Sequence, residues 1–431
     1  MNAQMSKAVT DANEQIDALW EQEVEFLQTL GRYPSTLGNE AEIQQFISDY
    51  LADTLHLEVD QFDPDPEQLQ DLPGFSPPLL DYENRPVVVG KATNDGGKTG
   101  KSLILQGHID VVPEDPLSQW SCNPWGSTID HGKMYGRGIQ DMKSGVAAMI
   151  FAYQAIQKAG IQLGADLYLQ TVIEEECTGN GALAALARGY TADAALIPEP
   201  FGEKAVTSQL GVFWVRFTIQ GQGAHTERAS EVVNAIEKSQ VIIDALKSFE
   251  VHLNEKERHP DFLHHPHPLN VNIGTLHSGA WPSSVPSEAV LEARVGLYPG
   301  EDIEAVQQEF KDWMLKACAA DAWLKEVPPT IEFIGFHAEG AELSKQDPVM
   351  KILEASHEDV NNTPLDYTAV TCTTDTRFYN LYYGIPSTCY GPSGDGMHGV
   401  DEWVDLESVK RVTKVYADFI LRWCGIQKIE S

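Results

Sequence analysis

The stretch KSLILQGHIDVVP, residues 101–113, governs how the rest of the chain is read. Its apolar run, Leu103 to Leu105, has the length of a strand buried on both faces, and His108 and Asp110 follow where such a strand runs out. Two residues apart, the pair faces one side of an extended chain and reaches one cleft. A neutral imidazole is a good zinc ligand, and a carboxylate behind it fixes its tautomer and raises its basicity. Taken alone, the pair is better accounted for by strand-end packing beside a capping carboxylate.

Working outward, VVVGKA before this stretch is a strand, and the Pro- and Asp-rich segment FDPDPEQLQDLPGFSPPLLDYENRP before that reads as an irregular surface insertion. The opening stretch reads as a helix ending near Gly31, and Glu40 to Leu55 as a second. Beyond the stretch, Gly145 to Gly160 is a helix with a glycine stop; ADLYLQTVI and ADAALIPEP are strands ending in acids. Strand, helix and strand with polar residues gathered at strand ends predict an open α/β sheet with a site at its carboxyl edge. From about Gln209 the texture changes to alternating strands (GVFWVRFTIQGQG, LNVNIGTLHSG, SEAVLEARVGLYP) and helices over about Val232 to Leu253 and Ile303 to Ala319. That order predicts a separate α+β insert, with α/β character resuming around Glu332.

The same sheet edge should receive further acids. Asp141 in YGRGIQDMKSG lies in a Gly-flanked turn, where its two oxygens could bridge two cations or simply cap the next helix. Glu174, Glu175 and Glu176 follow a strand and precede the turn CTGNG, and three adjacent acids there need compensating charge. Glu199 stands between Pro198 and Pro200, and His398 lies in SGDGMHGVDE.

In this order and spacing the set resembles the M20 family of metallopeptidases and deacylases, the group with acetylornithine deacetylase, succinyl-diaminopimelate desuccinylase, aminoacylase and carboxypeptidase G. The resemblance implies a two-segment, zinc-peptidase-like catalytic domain, residues 1–206 and 327–431, interrupted by a lid or dimerisation domain at 207–326. It implies two divalent metal ions, with His108, Asp141 and Glu199 around the first and His398, Asp141 and Glu176 around the second. Asp110 is then the orienting partner of His108, and Glu175 the general base. Glu174 holds a position the family usually gives to Asp. His225 in GQGAHTERASEVVNAI resembles a lid histidine that donates to the oxyanion, often from a partner subunit. Arg294 in LEARVGLYPGE matches an arginine that holds a substrate carboxylate. Ser284 stands where an Asn is usual, and Asp375, Arg377, Gly391 and Ser393 resemble parts lining the substrate end.

The chemistry so implied is amide cleavage. Two zincs about 3.5–4 Å apart acidify a bridging water and polarise the carbonyl, while Glu175 moves the proton to the leaving amine. The expected substrate is an N-acylated amino acid or small amine carrying an acetyl, succinyl or formyl group. Rival expectations are an exopeptidase or dipeptidase with the same site, and a catalytically silent binding protein of this fold. Histidine and carboxylate donors admit cobalt or manganese in place of zinc. The cluster HPDFLHHPHP reads as an exposed loop because prolines break its spacing.

Bulk properties agree with this class. A chain of 431 residues is too long for one ordinary core. A formal charge of −34 repels nucleic acid and anionic membranes, and no window approaches the roughly 18 unbroken apolar residues of a membrane span. Six scattered cysteines without paired spacing, and no basic leader before an apolar run, point to a reducing cytoplasm. The insert's strand and helix are expected to join two copies as a symmetric dimer.

Overall fold

The computed structural model describes residues 3–94 and 96–429. Leu103–His108 is the fourth strand of a six-stranded sheet ordered Glu58–Phe62, Val87–Ala92, Leu167–Val172, Leu103–His108, Ala195–Ile197, Ser387–Cys389. The last four pair in parallel, and the two at the opposite edge pair antiparallel. Every residue of the Leu103–His108 strand is buried. Leu103 and Leu105 enter the core shared with helices Ala3–Arg32, Ser144–Lys158 and Leu406–Cys424, whereas Ile104 enters a second cluster on the other face. A sheet covered on both faces needs unbroken apolar strands, and each such side chain contributes about 1.5–3 kcal/mol by leaving water.

Because these strands are parallel, their carboxyl ends open on one edge. His108 closes its strand; Glu175 and Glu176 follow Leu167–Val172, and Glu199 follows Ala195–Ile197. The topology thus gathers residues from three adjacent strands without any long-range side-chain choice. The sheet edge anticipated from sequence is where they meet.

The insert has a second core. Its antiparallel sheet runs Val271–Ser278, Glu288–Leu297, Gly211–Gln220, Thr330–Ala338, with helices Ala235–Glu255 and Ile303–Cys318 against one face. Phe213, Val215, Phe217 and Ile219 face those helices, so the alternate residues Val212, Trp214, Arg216 and Thr218 take the opposite face. The boundary expected at 327 falls before Thr330–Ala338, which pairs along Gly211–Gln220, so the insert's sheet continues to Ala338. A half-buried strand carries the same alternation whichever sheet it joins.

The Pro- and Asp-rich segment is not merely a surface insertion. Ser76, Tyr82 and Arg85 are buried, because Arg85 bridges two wholly buried carboxylates, Glu40 at 2.6 Å and Glu174 at 2.7 Å. Charge pairing across distant segments overrode the local composition. Among the described residues no helix is long and apolar enough to cross a membrane.

Candidate active site

Asp141 occupies the centre. One carboxylate oxygen lies 3.1 Å from Nε2 of His108, and the other 3.5 Å from Nε2 of His398. His398 reaches Glu176 at 3.0 Å, while His108 lies 3.7 Å from Glu199 and 3.9 Å from Glu175. Donor atoms of His108, Glu175 and Glu199 fall within 4.8 Å of one another, as do those of His108, Asp141 and Glu176. His108 is wholly buried and the His398 side chain 54% exposed, so the cleft has a closed end and an open end.

The backbone is held with equal care. Glu402 accepts N–H bonds from Gly138, Gln140 and Asp141 and pairs with Arg137 at 2.7 Å, tying the turn that carries Asp141 to the loop that carries His398. Sequence reasoning missed Glu402, although it ends the same HGVDE loop that drew attention to His398. Glu174, at φ 64°, accepts from Arg85, Tyr82 and Thr178, which fixes the turn below Glu175. Gly179, at φ +74°, packs where a Cβ would meet the Phe378 ring at 2.6 Å.

Asp110 acts somewhat differently from the orienting role expected of it. Nδ1 of His108 bonds the Asp110 carbonyl at 2.9 Å, whereas the carboxylate lies 3.7 Å away. That carboxylate instead accepts the N–H groups of Glu175 at 3.3 Å and Glu176 at 3.1 Å. One residue therefore sets the imidazole through its backbone and the acidic pair through its side chain.

Electrostatics show how crowded the negative charge is. Burial, and then the neighbouring Glu199, push Glu175 well above the usual carboxylate range; burial and Asp141 do the same for Glu199. Burial raises Asp110 to about 7 against the opposing field of His108. For His398 the Glu176 charge dominates and raises the imidazole to about 11. Burial opposes charge on His108, but the Asp141 hydrogen bond and the surrounding carboxylates outweigh it and push the imidazole up. Asp141 goes the other way: burial opposes, yet its two histidine partners hold it well below normal.

These residues fit divalent cations. Nitrogen and carboxylate oxygen donors converge, and the buried Oε1 of Glu199 has no hydrogen-bond partner, an unmet lone pair that a cation would satisfy. A second group comprises His259, half-buried, and Asp261 and Glu342, both exposed; His259 and Asp261 belong to the HPDFLHHPHP stretch read as a loop, and His259 lies 3.3 Å from Glu342 of the later strand Ala341–Glu342.

The substrate-side residues scatter more widely. A cavity of about 680 Å³ between the sheet edge and the insert is lined by Glu175, Glu176 and His398 on one side and by Arg294, Trp214 and Phe336 on the other. Arg294 donates to the Thr371 carbonyl at 2.9 Å. Ser284 pairs across a two-residue ladder with His225, and both are exposed outside the cavity lining. Asp375 and Arg377 lie buried beneath the floor, Asp375 bonded to Gln106 and Arg377 to the Thr178 carbonyl. Gly391 packs against the carbonyls of Pro198 and Glu199, and Ser393 against Ser408.

With this geometry in view, comparison with known proteins is decisive. Residues 104–422 match the model of peptidase family M20/M25/M40. The chain belongs to that family. It is a hydrolase of amide C–N bonds, in a family whose enzymes bind divalent metal ions. A relative from Bacillus subtilis, N-formyl-4-amino-5-aminomethyl-2-methylpyrimidine deformylase, is 31% identical over 82% of this chain and 87% of its own. The protein of the same name from Halalkalibacterium halodurans is 28% identical over 96% of this chain and 97% of its own. The dipeptidase Dug1p of Saccharomyces cerevisiae shares the fold with TM-score 0.78 at 15% identity, covering 97% of this chain and 99% of its own. Human carnosine dipeptidase 1 does so with TM-score 0.77 at 16% identity, over 96% and 99%.

Proposed function

We propose that this member of the family removes a formyl group from a small primary amine, releasing formate and the free amine. The observation that carries the reading is Asp141 set between His108 and His398, with a carboxylate on either flank. The two relatives named as formyl-amine deformylases support the choice of acyl group. His108, Asp141 and Glu199 would hold one ion and His398, Asp141 and Glu176 the other, three protein ligands each, with zinc the best match to the donors. When bound, such ions polarise the carbonyl and acidify water near neutrality.

The chain's own groups do the rest. Glu175, left out of both ligand sets, takes a proton from the attacking water as the new C–O bond forms, and returns it to the amine nitrogen as C–N breaks. Asp110 keeps Glu175 at its station through the backbone bond just described. His225 supplies a donor to the developing oxyanion once brought to the cleft, from a second copy or by closure of the insert. Exposed Trp281, Leu276 and Ile236 on the insert favour the second copy.

The test offers the metal-loaded protein N-formyl, N-acetyl and N-succinyl derivatives of one amine, together with unblocked dipeptides, and reads free amine. The expected result is formyl removal fastest and loss of activity with a chelator. Faster cleavage of dipeptides overturns the reading in favour of a dipeptidase.

A further inference from the structure

The cavity above the sheet edge has a wall that the chemistry so far does not use. Trp214 and Phe336, on adjacent strands of the insert, meet with ring centroids 5.3 Å apart at 83°, and Val212 packs beside them. Both rings line the same cavity as Glu175 and His398. Two perpendicular rings form a corner in which a third flat ring meets one by its face and the other by its edge, the two arrangements that aromatic pairs prefer.

The backbone has been shaped around this corner. The register between the Trp214 and Phe336 strands shifts at Phe213/Trp214, and Gly335 takes φ +52°. A Cβ at Gly335 would stand 2.8 Å from the Trp214 ring and 3.1 Å from the Cys177 carbonyl, so only glycine lets the indole lie there. Trp214 also sits on the sheet face turned away from the insert's core, where strand alternation alone favours a polar side chain. Polar partners for ring nitrogens stand beside the corner on the neighbouring strands of the same sheet, Arg294 opposite Trp214 in register, Asn272 opposite Arg294, and Glu292 two residues before Arg294, all lining the cavity. Glu292 is already paired with Arg216 at 2.6 Å, and Arg294 is the single guanidinium in the lining, already donating to Thr371. A ring with hydrogen-bonding nitrogens suits such a surface better than a free carboxylate.

We propose that Trp214 and Phe336 determine specificity by receiving a planar heteroaromatic ring of the leaving amine. This rests on the deformylase reading and goes further, naming the class of amine and the residues that select it. The test compares kcat/KM for two formyl amides, one of an aminomethylpyrimidine and one of butylamine, in the wild type, Trp214→Ala, Phe336→Ala and Trp214→Phe. Stacking of a base on an aromatic side chain corresponds to about 5- to 150-fold on truncation. Each alanine variant should therefore lose about 10- to 100-fold on the pyrimidine amide, mainly in KM, and less than about threefold on the butyl amide, while Trp214→Phe recovers most of the loss. Equal losses on both amides, or none, overturn the proposal.

Equilibrium dialysis of the free aminomethylpyrimidine against the metal-loaded proteins separates this idea from the deformylase reading. If no formyl amide is cleaved but the free amine binds the wild type and leaves Trp214→Ala, the ring site stands and the choice of acyl group fails. Absence of binding to the wild type removes the ring site, whatever the activity. Unchanged metal content and melting temperature in the variants confirm that the fold is intact.

Discussion

His108 and His225 stand at opposite extremes of the molecule. His108 ends a wholly buried strand, with Nδ1 fixed by a backbone carbonyl and Nε2 facing Asp141. His225 sits exposed on a two-residue strand, with Nδ1 capping Glu227. The first is placed by the core itself, so its geometry is as secure as the sheet. The second is placed by nothing in the cleft, so the oxyanion role proposed for it requires a larger movement or an encounter. On the proposed reading, one chain combines a preorganised floor with a part that arrives later.

The largest effect that bears on this contrast is expected at Glu175. Glu175→Gln should lower kcat by about 10²–10⁴-fold with two ions per chain retained, measured by metal analysis beside turnover. Loss of metal in step with activity would make Glu175 a ligand, which its place in the same donor group as His108 and Glu199 makes worth checking. Next comes the support below the floor. Arg85→Met leaves Glu40 and Glu174 buried and unpaired, and a loss of about 3–5 kcal/mol in urea unfolding is expected. Activity falling while stability holds would mean that the floor is not prebuilt.

At the other pole, His225→Ala should cost about 10²–10³-fold in kcat with the melting temperature unchanged, since the side chain is exposed. If the loss is in KM alone, the oxyanion role is wrong. Mixing this variant with Glu175→Gln should restore some activity if the histidine comes from a second copy.

The smallest effect concerns a buried acid of the first helix, Glu23. Burial raises it to about 8 despite its bond from Thr413 and the charge of Lys410. Its folded value lies above its unfolded one, so the native chain holds the extra proton. The resulting stability is complete below pH of about 4.5 and is lost as pH rises through about 8. Glu23→Gln should flatten melting temperature against pH across that window; a parallel curve would show that Glu23 ionises freely.

What the sequence made legible follows the same division. His108, Glu175, Glu176 and Glu199 could be read because parallel strands are short apolar runs whose ends deliver polar residues to one edge, a local pattern. Asp141 and His398 were legible through family spacing, not through strand pattern. Arg85 and Tyr82 were not, because their burial depends on Glu174, about ninety residues away, while their own neighbours are prolines and acids. Asp375 and Arg377 resemble substrate contacts by motif, yet they support the floor from beneath; a motif fixes residue types without telling which side of a layer they occupy. Thr330–Ala338 could not be assigned between two sheets, since its alternation suits either.

Glu402 carries a consequence for how the protein is born. The turn holding Asp141 is fixed by a carboxylate that leaves the ribosome more than 250 residues later, after the whole insert has been made. Until then Asp141 and His398 cannot be joined, and a nascent chain has the sheet edge without its fastening. The cleft around Asp141 is therefore completed only after the insert has been made, when the helix Leu406–Cys424 packs on Ser144–Lys158.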